Sequence, residues 1–480
     1  MEGKEEELPP FSEGVGEAPL EIKAHSPKRG LILVIISIVL ILVSILMIII
    51  LIVLASQEGD PEPQKSNSIN ATYYIEFPSK KTKIFHPSFL DSVDSIEVDN
   101  ILVEKDYLQE FNSSGQHNIT IYFNKVLESL DNLFYKVDSL LVANLEQLMS
   151  SKIKSASDLF NGCTNLGGVT FSEYISKNIT NISNMFKDCY YLGYVDLDYF
   201  SNYKLEDISG LLSGCVNLLQ VDISYLNTKN VLNMSHLFYG CSSLIELDVG
   251  EFMTYRVRDM SNMFYGCTSL TSLELGNFDT ANVEHMYGMF DGCANLKILS
   301  LSNFDTRKVV DMFFMFNDCQ SLESLDLKNF KKFKTDKVID MYGMFRNCKS
   351  LKAIDISNFN TNQVRDMGEM FSGCSALENI NIRDKNTENL VHITGMFNNC
   401  SSLQSLTIPS FVAKNITDAS YLLNGCVALK YLDFSKFNTQ QLTMYTDIFK
   451  DLKEGGKFKY DAKTINNDLL KLLPNWQFDN

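Results

Sequence analysis

Eleven cysteines are the residues of this 480-residue chain best able to do chemistry, since a thiol can cross-link, bind zinc or attack an electrophile. Cys163, Cys189, Cys215, Cys241, Cys267, Cys293 and Cys319 recur every 26 residues, and after one gap of 29 the series resumes through Cys348, Cys374, Cys400 and Cys426. Structural zinc takes ligands at short spacings such as Cys-x-x-Cys, and no such pair exists. Neighbouring coils of a regular array would place successive cysteine Cβ atoms about 4.8 Å apart, beyond the roughly 3.5–4.5 Å of a disulfide. An odd number of thiols also cannot pair completely. The spacing therefore predicts a buried ladder of free thiols, each a small apolar filler and weak donor. No phosphate-binding Gly-Lys-Ser/Thr loop, His-Glu-x-x-His or Gly-x-Ser-x-Gly occurs, and the six histidines are scattered. The expectation is a protein that is not an enzyme and takes no cofactor.

A constant period of this length means one supersecondary unit repeated along a solenoid. After Cys241 the unit reads Leu244, Leu247, Val249, Phe252, Thr254, Val257, Met260, Met263, Phe264 and Gly266, and Cys267 opens the next copy. Leu247 and Val249 alternate with Asp248, which predicts a short strand with Asp248 facing outward. Val257, Met260, Met263 and Phe264 recur at three and four, which predicts one or two helical turns with a buried face. Asp259 stands where an N-cap belongs and Gly266 where a C-terminal glycine belongs. The same capping place holds Asn181, Asp207, Asn233, His285, Asp311, Asp340, Asp366, His392 and Asp418. The fold class expected is thus an α/β repeat, with strand, loop, helical turns and glycine in each coil. Val137 and Leu452 stand in the cysteine place, so residues 137–451 make about twelve coils, roughly 58 Å of stacked strands. One such coil cannot fold alone, and stacking must supply its stability.

The string Cys-x-x-Leu-x-x-Leu-x-Leu-x-x-Phe followed by Val-x-x-Met-x-x-Met-Phe resembles the repeat of BspA-like leucine-rich repeat surface proteins, over about two-thirds of the chain. That resemblance implies a leucine-rich-repeat solenoid and a role in adhesion or binding at a cell surface. The pattern drifts at Leu211-Leu212 and Leu422-Leu423, which replace Met-Phe, and at Lys385 and Ala413.

Two charged features interrupt the apolar rhythm. The outward place between the strand-centre residues holds Asp196, Asp222, Asp248, Glu274, Asp326, Asp355 and Asp433, with Ser300 and Asn381 interrupting. Like charges across neighbouring strands repel. This ladder is either a solvated face that keeps solenoids apart, or a surface for calcium or a cationic partner. The 29-residue unit brings Lys328, Lys331, Lys332, Lys334 and Lys337 together around Phe333 after the strand, as a tolerated insertion or a basic contact loop for an acidic partner. The formal net charge of −17 disfavours nucleic acid, which needs a basic face.

Residues 31–55 are 25 consecutive uncharged residues, polar only at Ser37 and Ser44, long enough to span a membrane and too long for an ordinary cleaved signal. Lys23, Lys28 and Arg29 precede them, and Glu58, Asp60 and Glu62 follow. By the positive-inside rule residues 1–30 form a cytoplasmic acidic tail, residues 31–55 a signal anchor, and the solenoid lies extracellular or lumenal. Residues 56–72 read as a linker, 73–136 as a β-rich cap with a half-repeat, and 452–480 as a C-terminal cap with a helix over 465–473 that covers the open edge. Among eight Asn-x-Ser/Thr sites, Asn70 and Asn112 are expected in loops and open to glycosylation. Two functional readings follow. One is a membrane-anchored, cell-surface module that binds a protein or glycan on its exposed strand face; the other is a structural surface-coat antigen without a specific ligand.

Overall fold

The computed structural model describes residues 67–479 apart from 79, 149, 202–203, 328–331, 383–386 and 409–414. The expected tail, anchor and most of the linker lie outside these residues. Among the described residues no helix is long and apolar enough to cross a membrane. The chain opens with β1 (Ser68–Ile75), which therefore begins inside the stretch read as linker. There follow β2 (Thr82–Lys83), β3 (Val93–Val98), β4 (Ile101–Val103), β5 (Leu108–Gln109) and β6 (Gly115–Phe123). β2 and β5 pair in a small sheet of their own. β7 (Leu140–Asn144) and β8 (Gly168–Thr170) already belong to the solenoid, and the main sheet runs β4-β3-β6-β1-β7-β8. β1 pairs antiparallel with both β6 and β7. The cap thus closes the sheet edge that the first coil would otherwise leave open to aggregation.

In the array the strands are three residues long. β9 (Ser272–Glu274) pairs in parallel with β10 (Ile298–Ser300), and β11 (Ala353–Asp355) with β12 (Asn379–Asn381). β13 (Ser405–Thr407), β14 (Tyr431–Asp433), β15 (Lys457–Lys459) and β16 (Gln477–Asp479) form one parallel sheet. The register keeps like residues together, with Leu273 opposite Leu299 and Leu432 opposite Phe458. The C-terminal region is accordingly a continuation of the sheet by two rungs. Its helix is the single turn Asn467–Leu470, shorter than the pattern suggested.

The helical half of each coil is where the sequence reading needs correction. The array holds one α-helical turn, Glu173–Ser176, among the described residues. Elsewhere the Val-Met-Met-Phe segment is a chain of tight turns. Ala156, Asp158, Phe160 and Gly162 donate their N–H groups to the carbonyls of Asn181, Ser183, Met185 and Lys187 in the next coil, at 2.9, 2.9, 2.9 and 2.8 Å. The amides between them turn back on their own coil, Leu159 to Ala156 O and Asn161 to Asp158 O. A helix would spend nearly every amide within the coil; here alternate amides serve the neighbour. That zigzag needs two left-handed residues per coil. One precedes the cysteine, as Gly162 at φ +77° and Gly266 at +68°; the other lies four residues earlier, as Asn184 at +53°, Gly288 at +58°, Phe314 at +54°, Glu369 at +53° and Tyr421 at +60°. Apolar residues spaced by three and four still point inward, and Val257, Met260, Met263 and Phe264 are wholly buried.

The expected N-caps also do a different job. Asn181, Asp207, Asn233, Asp259, His285, Asp311, Asp340, Asp366, His392 and Asp418 make single parallel bridges from coil to coil, in an unbroken series from Ser155 to Met444. Most also accept, through Oδ1, the N–H two residues on, as Asn181 from Ser183 and Asp259 from Ser261, both at 2.8 Å. These are Asx-turns, which start the tight-turn segment instead of a helix. At His285 the ring Nδ1 lies 2.6 Å from Asp311 Oδ2, and that hydrogen bond raises the imidazole pKa above its usual range.

All eleven thiols are buried and free of disulfides. Each donates to the backbone carbonyl of the coil before it, as Cys189 to Phe160 O at 3.2 Å, Cys267 to Phe238 O at 3.1 Å and Cys374 to Phe345 O at 3.0 Å. The longer unit keeps the contact, Cys348 reaching Phe316 O at 3.1 Å. The acceptor is shared: Phe264 O takes the Cys267 N–H at 3.2 Å and the Cys293 S–H at 3.1 Å. Burial pushes Cys163, Cys241, Cys293 and Cys426 up to about 12, so these sulfurs stay protonated donors. Beside them the phenylalanines stack ring on ring, with centroids 5.7, 5.5 and 5.3 Å apart from Phe264 through Phe290 and Phe316 to Phe345. Leu212 and Leu423, the drifted positions, fill the same place without a ring.

Substitutions at two positions test this arrangement by chemical denaturation of the full chain in detergent. Cys293→Ala removes donor and volume and should cost about 1–2 kcal/mol, while Cys293→Ser, whose hydroxyl still donates, should cost less. A serine variant weaker than the alanine variant would make the thiol a filler only. Tyr421→Gly should raise stability by about 0.5–1 kcal/mol by relieving a left-handed bulky residue; a loss would mean that the tyrosine ring contributes more than its backbone costs.

Candidate binding surface

Of the acidic ladder, Glu274, Asp355 and Asp433 end strands β9, β11 and β14, while Asp196, Asp222, Asp248 and Asp326 hold the equivalent place in coils whose segment there is not a strand; the carboxylates are mostly occupied locally. Asp196 Oδ1 accepts from the Asp198 N–H at 2.9 Å, Asp248 from Gly250 at 2.8 Å and Asp355 from Ser357 at 2.8 Å. Asp222 accepts from both the N–H and the hydroxyl of Ser224, at 3.0 and 2.7 Å, which lowers its pKa. The place is thus an Asx-turn that bends the chain out of the strand, a role glutamate at Glu274 fills less readily. Asp222, Asp248, Glu274 and Asp326 are exposed, Asp196 and Asp355 half-buried, and Asp433 buried. Neighbouring rungs supply two partners: Asn381 Nδ2 donates to Asp355 at 3.1 Å, and Lys459 stands 3.6 Å from Asp433. Among the described residues no group of three or more His, Cys, Asp or Glu is arranged to hold a metal ion.

The basic loop is only partly within the described residues, which exclude Lys328 and Lys331. Lys332 and Lys337 are exposed, and Lys334 is half-buried with its N–H bonded to Thr306 Oγ1 at 2.7 Å. Phe333 is not at the centre of a surface knot. It is fully buried and stacks on Phe359 at 5.8 Å, so it fills the core slot of the strand-end phenylalanine and the extra residues lie before it. Asn112 is exposed in the bend before β6, as expected of a loop. Asn70, by contrast, sits on β1 between β6 and β7; its side chain is exposed, but its backbone is a central strand.

Two features escaped the sequence reading. The motif threonine staples coils together: Thr254 Oγ1 donates to Asp279 O at 3.0 Å and Thr280 Oγ1 to Asp305 O at 3.1 Å, while Thr280 also accepts the Asp305 N–H at 2.7 Å. Its recurrence at Thr228, Thr254, Thr280, Thr306, Thr335, Thr361, Thr387 and Thr439 was the available signal. The second is a set of tyrosines, Tyr174, Tyr190, Tyr191, Tyr194 and Tyr225, whose exposures run from 42 to 66% within three successive coils. They have no period, so no pattern marked them. Tyr194 is exposed two residues before Asp196. Its partial burial, and after that the carboxylates Asp196, Asp198 and Asp222, raise its pKa. Exposed rings beside unneutralised acids make a surface with both apolar area and hydrogen-bonding tips.

The chain matches the family described as "Mycoplasma protein of unknown function, DUF285" over five overlapping stretches, residues 128–248, 192–297, 232–352, 259–379 and 340–465. No curated protein matches it. Among solved structures it is similar to a leucine-rich repeat protein from Bacteroides ovatus ATCC 8483, 15% identical over 81% of this chain and 99% of that one, with a TM-score of 0.42. It is also similar to a leucine rich cell surface protein from Faecalibacterium prausnitzii A2-165, 18% identical over 71% of this chain and 84% of that one, again with a TM-score of 0.42. The matched stretches run from the first coil to the last and cover the whole thiol ladder. The chain therefore belongs to the family described as Mycoplasma protein of unknown function, DUF285.

Proposed function

We propose that this chain is a cell-surface binding module which holds a protein or glycan partner on its exposed strand face and is displayed from a membrane by residues 31–55. The observation that supports the reading best is the exposure of Tyr190, Tyr191, Tyr194 and Tyr225 within two successive coils, with Asp196, Asp198 and Asp222 close to Tyr194. Tyrosine supplies large contact area at low entropic cost and is enriched among the residues that dominate binding energy. A coat protein without a ligand gains nothing from exposing these rings. The buried, protonated thiols offer no nucleophile, which fits binding and not catalysis.

The experiment is adhesion of cells displaying the full chain to arrays of extracellular proteins and glycans, compared with a Tyr191→Ser, Tyr194→Ser, Tyr225→Ser variant. Loss of one dominant anchor, about 2 kcal/mol, already weakens binding roughly thirtyfold, so the triple variant should fall at least that far with its melting temperature unchanged. Equal binding by the variant would remove the tyrosine patch from the interface. Absence of any saturable binding by the unaltered chain would favour the coat-antigen reading.

A further inference from the structure

The ladder of amides on the turn side stops before the sheet does. In the interior, Met312, Phe314, Phe316 and Asp318 donate to the carbonyls of Asp340, Tyr342, Met344 and Arg346 at 3.1, 2.9, 2.9 and 2.8 Å. The last set so covered is Ala419, Tyr421, Leu423 and Gly425, which donate to Met444, Thr446, Ile448 and Lys450 at 2.9, 2.8, 3.0 and 3.0 Å. The corresponding amides one coil on, those of Tyr445, Asp447, Phe449 and Asp451, meet no acceptor among the described residues. The cause is a short final coil. Phe458 pairs with Phe478 only 20 residues later, against 26 between Leu432 and Phe458, and the helical turn Asn467–Leu470 replaces a full turn segment.

The four amides nevertheless keep the interior geometry. Asp447 and Asp451 are left-handed at φ +52° and +65°, as at every earlier coil, so alternate N–H groups point the same way. A cavity of about 520 Å³ lies beside them, lined by residues 443–450 and Leu472. Phe449 is only 6% exposed, which leaves its amide poorly served by bulk water. Alternating left- and right-handed residues can cradle an anion, but here Lys450 already pairs with Asp447 at 3.1 Å, and the exposed carboxylate of Asp451 leaves the segment net negative and repels one. A second copy of the chain does not fit directly either. At the opposite end the cap already occupies two of the matching carbonyls, the His86 N–H reaching Leu133 O at 2.7 Å and the Lys83 ammonium reaching Tyr135 O.

We propose that this open end docks a segment of another protein, which adds one more rung by presenting its backbone carbonyls to Tyr445, Asp447, Phe449 and Asp451 and a cationic side chain to Asp451. The complement is known in shape because the same ladder is satisfied that way in the coils before it, apart from the Met286 N–H, which reaches the Asp311 carboxylate, and the first rung at Ile393. Recognition would be a form of strand addition, with main-chain bonds for affinity and side-chain pockets for choice.

The test is amide hydrogen exchange of the full chain in detergent, resolved to single residues, with and without a synthetic peptide of residues 338–348, whose carbonyls fit this ladder within the protein and which carries Arg346. The peptide should slow exchange at Tyr445, Asp447, Phe449 and Asp451 by about tenfold or more while leaving Ala419 and Tyr421 unchanged. A peptide of the same composition in scrambled order should not. No slowing, equal slowing by the scrambled peptide, or amides as slow in the dilute free chain as those of Ala419 and Tyr421 would each overturn the proposal. Slowing on concentrating the chain alone would replace it with self-association.

Discussion

The structure depends on one constraint: alternate amides of the turn segment must find their carbonyls in the next coil. That requirement fixes the 26-residue register, because a shift of even one residue would aim inward amides outward and outward amides inward. It also dictates two left-handed residues per coil, and it leaves the carbonyl of the Met-Phe phenylalanine with room for a second donor. The cysteine fills that room. A side chain at this place must be small enough for the core and still carry a proton to give, which serine does at greater cost of desolvation and alanine does not do at all. The thiol ladder is therefore part of the backbone hydrogen-bonding scheme and not a store of redox chemistry.

How much of this could be read from residues alone follows from the same constraint. Period, core and thiol burial were legible because each coil repeats them: Leu244, Phe252, Met260 and Phe264 announce themselves by type and spacing. The helix was the natural inference from Val257, Met260 and Met263, yet a zigzag of turns returns side chains to one side at the same three- and four-residue intervals. The residue that would have distinguished them is the first left-handed position, and it is disguised. Asn184 and Gly288 suit it, but Phe314, Glu369 and Tyr421 do not. Asp259 looked like an N-cap because an Asx-turn uses the same oxygen and the same amide two residues on.

The candidate surface was half legible for a related reason. Asp196, Asp222 and Asp248 stood out by period, and the structure gives that period a local cause, the turn that each side chain closes by accepting the N–H two residues on. Periodic residues in a solenoid answer to stacking. Residues free to serve recognition are those that break the period, such as Tyr191 and Tyr225, and a single sequence offers no rule for weighing them. Phe333 shows the converse: inside an irregular, lysine-rich loop it resembled a surface feature, yet it fills the core place that Phe359 fills in the next coil.

The shared register is tested most directly by deletion. Removing residues 241–266, one whole unit, joins Gly240 to Cys267 and brings each remaining amide opposite an equivalent carbonyl. Removing residues 241–253, half a unit, cannot. The quantity to measure is the reactivity of the remaining cysteines toward a thiol reagent without denaturant. If inter-coil amide pairing holds the fold together, the whole-unit deletion keeps every thiol unreactive and the half-unit deletion exposes them; equal exposure in both would contradict it.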